Sequence, residues 1–328
     1  MAAPGRLSPA LLAPVLHARR SLLPYEIRFS AARSMGRLLG PAWSAAGGAA
    51  VNTPVQGPDL VLYGGMENAP TGWGAEGASL EASAEAHSGE KALQVTDLGA
   101  GFGSANRDVP VQVHAWHAVS LRLKARPGHA ARAACYQNAS GVYHWRTPVV
   151  TQSDYQHFLG ALCAGDETVR IKLFAWDAGN TALFDEVRLH ALQPGSLLAV
   201  LPASEPDVTA GGEWVIAGGF QAGVVLNLDS RSDPQNYLLG YYDRALNQAK
   251  LAQCVNGVYS ELIAESTPYV EGAVIKVEKE GAACRLFYDH RQIGEEQALS
   301  ETALLENRLH GVFSTGGGSQ LNSFFVTG

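Results

Sequence analysis

The chain has 328 residues, more than the roughly 250 that one hydrophobic core usually serves, so we expect two domains. Its 36 glycines and its low charged fraction of 17% are typical of short strands joined by tight turns. No apolar run approaches the roughly 18 residues of a transmembrane helix, which excludes a helical membrane span, and the net charge of −7 makes nucleic acid an unexpected partner.

The first segment, residues 1–57, is a basic arm with six arginines and one acidic residue, Glu26. Residues 25–29 alternate apolar and polar side chains, which predicts a short strand, and residues 30–40 have helical spacing. The arm has no core of its own, so we expect it to lie on the rest of the chain or on a neighbouring chain. Its charge leaves four interpretations open: docking on an acidic partner, on nucleic acid or on another subunit, or an organelle transit peptide.

The second segment, residues 58–194, has the pattern of strands and turns. In "HAVSLRLKA", Val119, Leu121 and Leu123 share one face, and this period of two predicts a half-buried strand. In "ETVRIKLFAW", the residues predicted to face the core are Val169, Ile171, Leu173 and Ala175.

The third segment, residues 195–328, contains about seven short apolar runs separated by turn residues, from "FQAGVVLNLD" to "HGVFST". Asn256-Gly257 stands between two of these runs and predicts a type I′ hairpin, because both residues tolerate a positive φ. The strand-and-turn pattern predicts a β-sandwich.

Short motifs of the second segment resemble jelly-roll carbohydrate-binding modules. They are "LVLYGGMENAPTGW", "HSGEKALQV", "WHAVSLRLKA" and "ALFDEVRL", and they span about 130 residues. The third segment resembles concanavalin A-like and laminin-G-like sandwiches in the spacing of "GVVLNLDSRSDPQNYLLGYYD" and "ACRLFYDHRQIG". The fold expected from patterns and resemblances is all-β, with two consecutive jelly-roll-type β-sandwiches preceded by a mostly irregular N-terminal arm.

Both resemblances imply glycan binding, since many members of these families bind glycans. Such modules also occur in virion tail and fibre proteins behind an attachment segment, which fits the basic arm. The resemblance therefore implies a non-enzymatic, homo-oligomeric virion component, attached to other subunits through residues 1–57 and located in a virion or outside the cell. The alternatives are a secreted polysaccharide-binding accessory protein and, third, a glycoside hydrolase.

The residues give no catalytic constellation. The E-x-D-x-x-E strand motif of related glucanases is absent, and "SELIAES" supplies Glu261 and Glu265 without a central acid. The four cysteines form no C-x-x-C motif, so buried free thiols are favoured over a zinc site. We expect no enzymatic activity and no catalytic residues.

Aromatic residues outside the core pattern are the candidates for glycan binding, because sugar rings stack on flat aromatic faces. The first choices are Tyr143, Trp145 and Trp176, and the second choices are Trp116 and Tyr136. The alternative is that some of these rings cover the second sheet or a contact between domains.

Asp185 and Glu186 stand side by side in "NTALFDEVRL". Adjacent residues of a strand point to opposite faces, so this pair cannot act on one bond. Strict alternation would place Asp185 on the core face with Leu183 and Val187, where a carboxylate needs a partner. The jelly-roll resemblance implies a structural calcium held by Glu67 and Asp185, completed by carbonyls near residues 89–91. Backbone amides or an arginine are the alternative partners.

Overall fold

The computed structural model describes residues 25–28, 40, 42–99, 101–137 and 141–328. The regular structure of these residues is almost entirely β-strand, with one short α-helix, Thr302–Glu306, and one 3₁₀ helix, Pro194–Leu197. Neither helix is long and apolar enough to cross a membrane. The prediction of an all-β fold is confirmed.

The strands are numbered in chain order. The arm contributes β1 Tyr25–Arg28, β2 Trp43–Ala46 and β3 Ala49–Asn52. The first sandwich contains β4 Gln56–Asp59, β5 Gly74–Glu76, β6 Ala78–Ser83, β7 Ala92–Asp97, β8 Ser104–Pro110, β9 Trp116–Ala125, β10 Ala130–Gln137, β11 Tyr143–Arg146, β12 Gln156–Cys163, β13 Thr168–Trp176 and β14 Thr181–Leu192. The second contains β15 Leu198–Pro202, β16 Thr209–Val215, β17 Gln221–Leu228, β18 Tyr237–Asp243, β19 Gln248–Val255, β20 Val258–Ser266, β21 Ala273–Glu280, β22 Ala283–Tyr288, β23 Arg291–Ala298, β24 Leu309–Ser314 and β25 Gln320–Thr327.

Two antiparallel sheets form the first sandwich. Sheet 1 has the order β11-β10-β13-β8-β5, and sheet 2 has the order β12-β9-β14-β7-β6 with β4 paired to β14. The core of this sandwich includes every residue predicted to face inward on β9 and β13: Val119, Leu121, Leu123, Val169, Ile171, Leu173 and Ala175. Alternation therefore gave the correct face for both strands.

The second sandwich also has two antiparallel sheets. Sheet 3 has the order β15-β24-β17-β18-β19-β20, and sheet 4 has the order β2-β3-β25-β16-β21-β22-β23 with β1 paired to β25. Asn256 and Gly257 form the two-residue turn between β19 and β20, with φ of +51° and +79°. The predicted hairpin is confirmed, since a type I′ turn requires two positive φ values.

Part of the basic arm belongs to the second sandwich. β1 pairs with β25, and β3 pairs with β25 at Val51 and Ala50. These strands lie on the chain itself, one of the two expected situations, while the predicted helical segment at residues 30–40 falls almost wholly outside the described residues. The boundaries 1–57, 58–194 and 195–328 stay a prediction, and β4 and the 3₁₀ helix span the positions of the two boundaries.

A third core joins the two sandwiches, between sheet 2 and sheet 3. Trp116 of β9 packs there against Phe313 of β24, with ring centroids 5.1 Å apart. The Ala161 amide donates to the Gly219 carbonyl at 3.0 Å, and Gln221 Nε2 donates to the Ala161 carbonyl at 2.8 Å. Sheet 3 thus has apolar cover on both faces, which explains why β17 is buried along its whole length. All four cysteines are free thiols; Cys135, Cys254 and Cys284 are buried, as favoured, and Cys163 is half-buried.

Candidate glycan-binding surface

The face of sheet 1 that points away from the core carries the candidate site. β10 and β13 are neighbours, so side chains two apart along each strand form rows on this face. The members of these rows are Arg132 and Tyr136 on β10 and Lys172, Phe174 and Trp176 on β13. Alternation positions them, because Ala131, Ala133, Ile171 and Leu173 between them face the core.

Four rings that keep solvent exposure lie on this side of sheet 1 and are called here the aromatic face: Phe102, Tyr136, Tyr143 and Trp176. At one end, the ring centroids of Phe102 and Trp176 are 4.8 Å apart with an edge-on geometry. The Arg132 guanidinium carbon lies 4.8 Å from the centroid of Trp176. Phe174 packs against Trp176 but is only 5% exposed, so it stabilises the position of Trp176 and offers almost no surface of its own.

The two tyrosines form the other end of the aromatic face. Tyr136 and Tyr143 occupy paired positions on β10 and β11, with ring centroids 4.2 Å apart. Lys172 Nζ lies 5.5 Å from the Tyr136 centroid. Burial and the hydrogen bond with Tyr143 raise the pKa of Tyr136, so its phenol keeps its proton at neutral pH.

Polar groups flank the rings. Lys172 Nζ forms an ion pair with Glu76 Oε2 at 2.8 Å, and Asn106 Nδ2 donates to the same oxygen at 3.0 Å. The hydrogen bond from Lys172 lowers the pKa of Glu76, which keeps this carboxylate charged. Arg170 donates to both oxygens of Asp108, at 2.6 and 2.8 Å. These side chains offer both donors and acceptors beside the aromatic face.

A glycine-rich loop holds Phe102 beside Trp176. The buried Asp97 carboxylate accepts amides from Gly99 at 2.7 Å, Gly103 at 2.7 Å and Gly179 at 2.9 Å. Burial alone would raise the pKa of Asp97, but these amides outweigh it and the pKa is lowered. The carboxylate therefore fixes the loop on which Phe102 stands.

Trp145, one of the first choices from the sequence, lies in the core of the first sandwich and is 1% exposed. Alternation would place it beside Tyr143, but the pairing of β10 and β11 shifts register between Cys135 and Tyr136. Tyr143 therefore faces Tyr136 outside, whereas Trp145 is paired with Cys135 and faces inward. A ring so buried offers no face to a sugar, so Trp145 is not part of the aromatic face.

Trp116 also lies away from the aromatic face. It points out of the first sandwich, as its phase predicts, but the second sandwich covers it and leaves it 6% exposed. The expected alternative, a contact between domains, applies to this residue. Of the five predicted residues, the structure brings together Tyr136 and Tyr143 at one end of sheet 1, with Trp176 at the other.

β14, the strand that contains Asp185, has a bulge, so its side chains do not all face the sides that alternation predicts. β14 shifts register against β9 between Asp185 and Arg188, and Glu186 has a φ of +49°. Phe184 before the bulge and Val187 after it both face the core, whereas strict alternation put them on opposite faces.

Backbone amides are the hydrogen-bond partners of Asp185. Its Oδ2 accepts from His87 at 2.9 Å and Ser88 at 3.0 Å, and its Oδ1 accepts from Glu186 at 2.7 Å. Burial nevertheless raises the pKa of Asp185. Glu67 accepts the Glu90 amide with both oxygens at 3.1 Å, so the two carboxylates bind the same loop, residues 87–90.

The fit of calcium to these residues is poor. N–H groups converge on Asp185 and Glu67, where a calcium ion would need oxygen ligands. Among the described residues, no group of three or more His, Cys, Asp or Glu side chains could hold a metal ion. Calcium at Glu67 and Asp185 stays a prediction.

Sequence reasoning missed three contributors to this surface: Phe102, Arg132 and Lys172. Alternation in "AARAACYQ" already places Arg132 in phase with Tyr136, and "RIKLFAW" places Lys172 in phase with Trp176. Phe102 has no periodic signal, because it stands on a loop that the Asp97 carboxylate holds and not on a strand.

No protein-family model matches the chain, and no curated protein matches it. Solved carbohydrate-binding modules are similar to it. The CBM22-1–CBM22-2 tandem domain of Paenibacillus barcinonensis Xyn10C has a TM-score of 0.37 and 12% identity, over 83% of this chain and 97% of that chain. The CBM22-1 xylan-binding domain of the same protein has a TM-score of 0.35 and 19% identity, over 42% and 96%. Carbohydrate-binding module CBM66 from Bacillus subtilis has a TM-score of 0.30 and 18% identity, over 37% and 81%.

Proposed function

We propose that this protein binds a glycan chain along the aromatic face and catalyses no reaction. The observation that carries the proposal is the presence of exposed aromatic rings at both ends of one sheet face, with charged and amide groups beside them. Tyr136 is paired with Arg170, six residues before Trp176 on β13, which corresponds to about 20 Å along the strand. A ligand that contacts both ends must be extended, as a polysaccharide is.

The chemistry of the surface suits sugars. Ring faces pack on the C–H groups of a pyranose, and the side chains of Glu76, Asn106 and Lys172 can exchange hydrogen bonds with hydroxyl groups. Absence of catalysis is supported at the adjacent acids Asp185 and Glu186, because Asp185 accepts backbone amides while Glu186 contacts His87 and Arg122.

The test is retention of the protein by a panel of immobilised polysaccharides. Trp176→Ala should weaken retention by about fivefold or more, since truncating an aromatic contact that carries binding energy typically costs more than 1 kcal/mol. Trp176 is half-buried at the surface, so the fold should survive the substitution, which circular dichroism would verify.

Phe287→Ala is the matched control, because Phe287 is also a half-buried ring under a cationic side chain, Lys276 at 4.0 Å, but lies in sheet 4. It should keep wild-type retention, and none of these proteins should release reducing sugar from the panel. Wild-type retention of Trp176→Ala, or a loss equal to that of Phe287→Ala, would contradict the assignment of the aromatic face.

We propose further that the chain is a virion component, attached to other subunits through residues 1–57 and assembled as a homo-oligomer. The basic charge of the arm and the resemblance of the sequence to tail and fibre modules support this. A secreted polysaccharide-binding accessory protein is the alternative. Copurification of the chain with a particle, with the arm in contact with another subunit, separates the two.

A further inference from the structure

A cavity of about 640 Å³ lies between the two sandwiches, beside the contact of Ala161 with Gly219. The charged residues that line it in the described part of the chain are three arginines, Arg132 and Arg146 from sheet 1 and Arg244 from the loop after β18. None of the described Asp or Glu residues lines it. The chain as a whole has 31 acidic and 24 basic residues, so its composition does not predict a cavity whose charges are all basic.

The arginines contact rings and carbonyls. Arg132 Nε donates to the Thr147 carbonyl at 3.1 Å, and the Arg244 guanidinium carbon lies 3.3 Å from the Tyr269 centroid. In the described part of the chain, none of the three arginines forms an ion pair with a carboxylate. Nη1 of Arg244 is buried and has no hydrogen-bond partner among the described residues.

The charges of Arg132 and Arg146 repel each other. Burial, followed by the positive charge of Arg146, lowers the pKa of Arg132. A buried guanidinium N–H without an acceptor costs free energy, and an anion in the cavity would remove both costs.

The second cavity between the sandwiches differs in this respect. It measures about 740 Å³, and its lining includes Lys250, the acids Asp243 and Glu261, and Arg146, which lines both cavities. Lys250 Nζ lies 2.7 Å from Glu261 Oε1 and 3.7 Å from Asp243 Oδ2. Glu261 and Asp243 therefore balance the charge of Lys250 in that cavity. Among the described residues, no acid in the lining balances the charges in the cavity of Arg132, Arg146 and Arg244, called here the arginine cavity.

Two of the arginines also belong to the surroundings of the aromatic face. Arg132 covers Trp176, and the Arg146 guanidinium carbon lies 5.7 Å from the Tyr143 centroid. A saccharide on the aromatic face can therefore extend a substituent into the arginine cavity. We propose that the cavity binds the anionic group of an acidic saccharide, a uronate carboxylate or a sulfate ester, through Arg132, Arg146 and Arg244. The saccharide part of this inference rests on the proposed function.

The experiment compares polymers that differ only in charge. Polygalacturonate is paired with its fully methyl-esterified form, and dextran sulfate is paired with dextran. The readout is the ratio of the two affinities within a pair, measured by calorimetry at fixed ionic strength. The wild-type protein should prefer the acidic member of at least one pair by about tenfold or more, the size expected of a charge-assisted hydrogen bond.

Arg244→Gln should reduce this preference to about threefold or less. Arg291→Gln is the matched control with the same change of charge at an exposed position on β23, and it should keep the full preference. Arg244→Lys keeps the charge and should retain part of it, which separates the effect of charge from a loss of folding.

Three outcomes overturn the inference: no preference in the wild-type protein, an undiminished preference in Arg244→Gln, or an equal loss in Arg291→Gln. A melting temperature raised by inorganic sulfate, without preference for either acidic polymer, identifies a free-anion site and also overturns it. Failure of the proposed function has a different signature, because Trp176→Ala would then leave the affinity for acidic and neutral polymers unchanged.

Discussion

Asp97 is a buried carboxylate that accepts backbone amides from a glycine-rich loop and from Gly179. The motif that follows it, "GAGFGSA" at residues 99–105, loosely resembles a dinucleotide loop, but the amides of Gly99 and Gly103 donate to the Asp97 side chain. Because the loop carries Phe102, the ionised Asp97 carboxylate also holds the geometry of the aromatic face.

Asp97→Asn should destabilise the fold by about 2 kcal/mol at pH 7, because the new NH₂ group cannot accept an amide hydrogen. The pKa of Asp97 is lower in the folded state than its usual value near 3.8, so its contribution is present above about pH 4 and is lost as the pH falls through the folded-state pKa. Urea unfolding from pH 7 to pH 3 should therefore show a difference between the two proteins that shrinks below about pH 4. Asp154→Asn, at an exposed position, is the control; a pH-independent difference for Asp97→Asn would contradict the account.

At the scale of elements, alternation predicted the faces of β9 and β13 because neither strand contains a bulge: β13 pairs with β10 and β8 in constant register, and the extra residue in the pairing of β9 with β14 lies on β14. It misplaced Trp145 on β11, and Leu183 and Phe184 on β14, because each strand contains a bulge. One extra residue reverses the side-chain phase, and neither bulge is marked by a Gly or Pro in the sequence. Trp116 had the correct phase, but no local pattern could reveal that a second sandwich covers it.

The bulge of β14 lets Asp185 accept the amides of His87 and Ser88 in the loop before β7. Asp185→Asn should therefore lower the free energy of unfolding by about 1–3 kcal/mol, since a side-chain amide cannot satisfy donors on both sides. Chemical denaturation at pH 7 measures this loss, and wild-type stability in the variant would show that the amides do not need the carboxylate. A chelator tests the predicted calcium separately: a melting temperature unchanged by the chelator would dispose of the metal.

At the scale of the molecule, the shared core makes sheet 3 part of two packed interfaces at once. Val224 and Leu226 of β17 face the core of the second sandwich, while Val225 between them faces the first sandwich. Composition and length predicted two sandwiches, but the joint depends on contacts between distant segments, which no local pattern encodes. The arginine cavity exists only because this joint holds sheet 1 beside the loop after β18.

Trp116 is the largest side chain that the first sandwich contributes to the joint, and it contacts Tyr241, Tyr259 and Phe313. Because both sandwiches bury apolar surface in this core, we expect the wild-type protein to unfold in one cooperative calorimetric transition. Trp116→Ala removes about 3–5 kcal/mol of packing from the joint and should separate the transition into two.

Leu123→Ala is the control for this calorimetric prediction, because Leu123 is fully buried inside the first sandwich and does not contribute to the joint. It also removes buried packing and should therefore lower the midpoint temperature of unfolding, while the single transition persists. Two transitions in the wild-type protein, or a single one in Trp116→Ala, would mean that the shared core does not couple the sandwiches. Coupling of this kind matters for binding, because a rigid joint keeps Arg244 at a fixed distance from the aromatic face and spares the ligand the cost of ordering it.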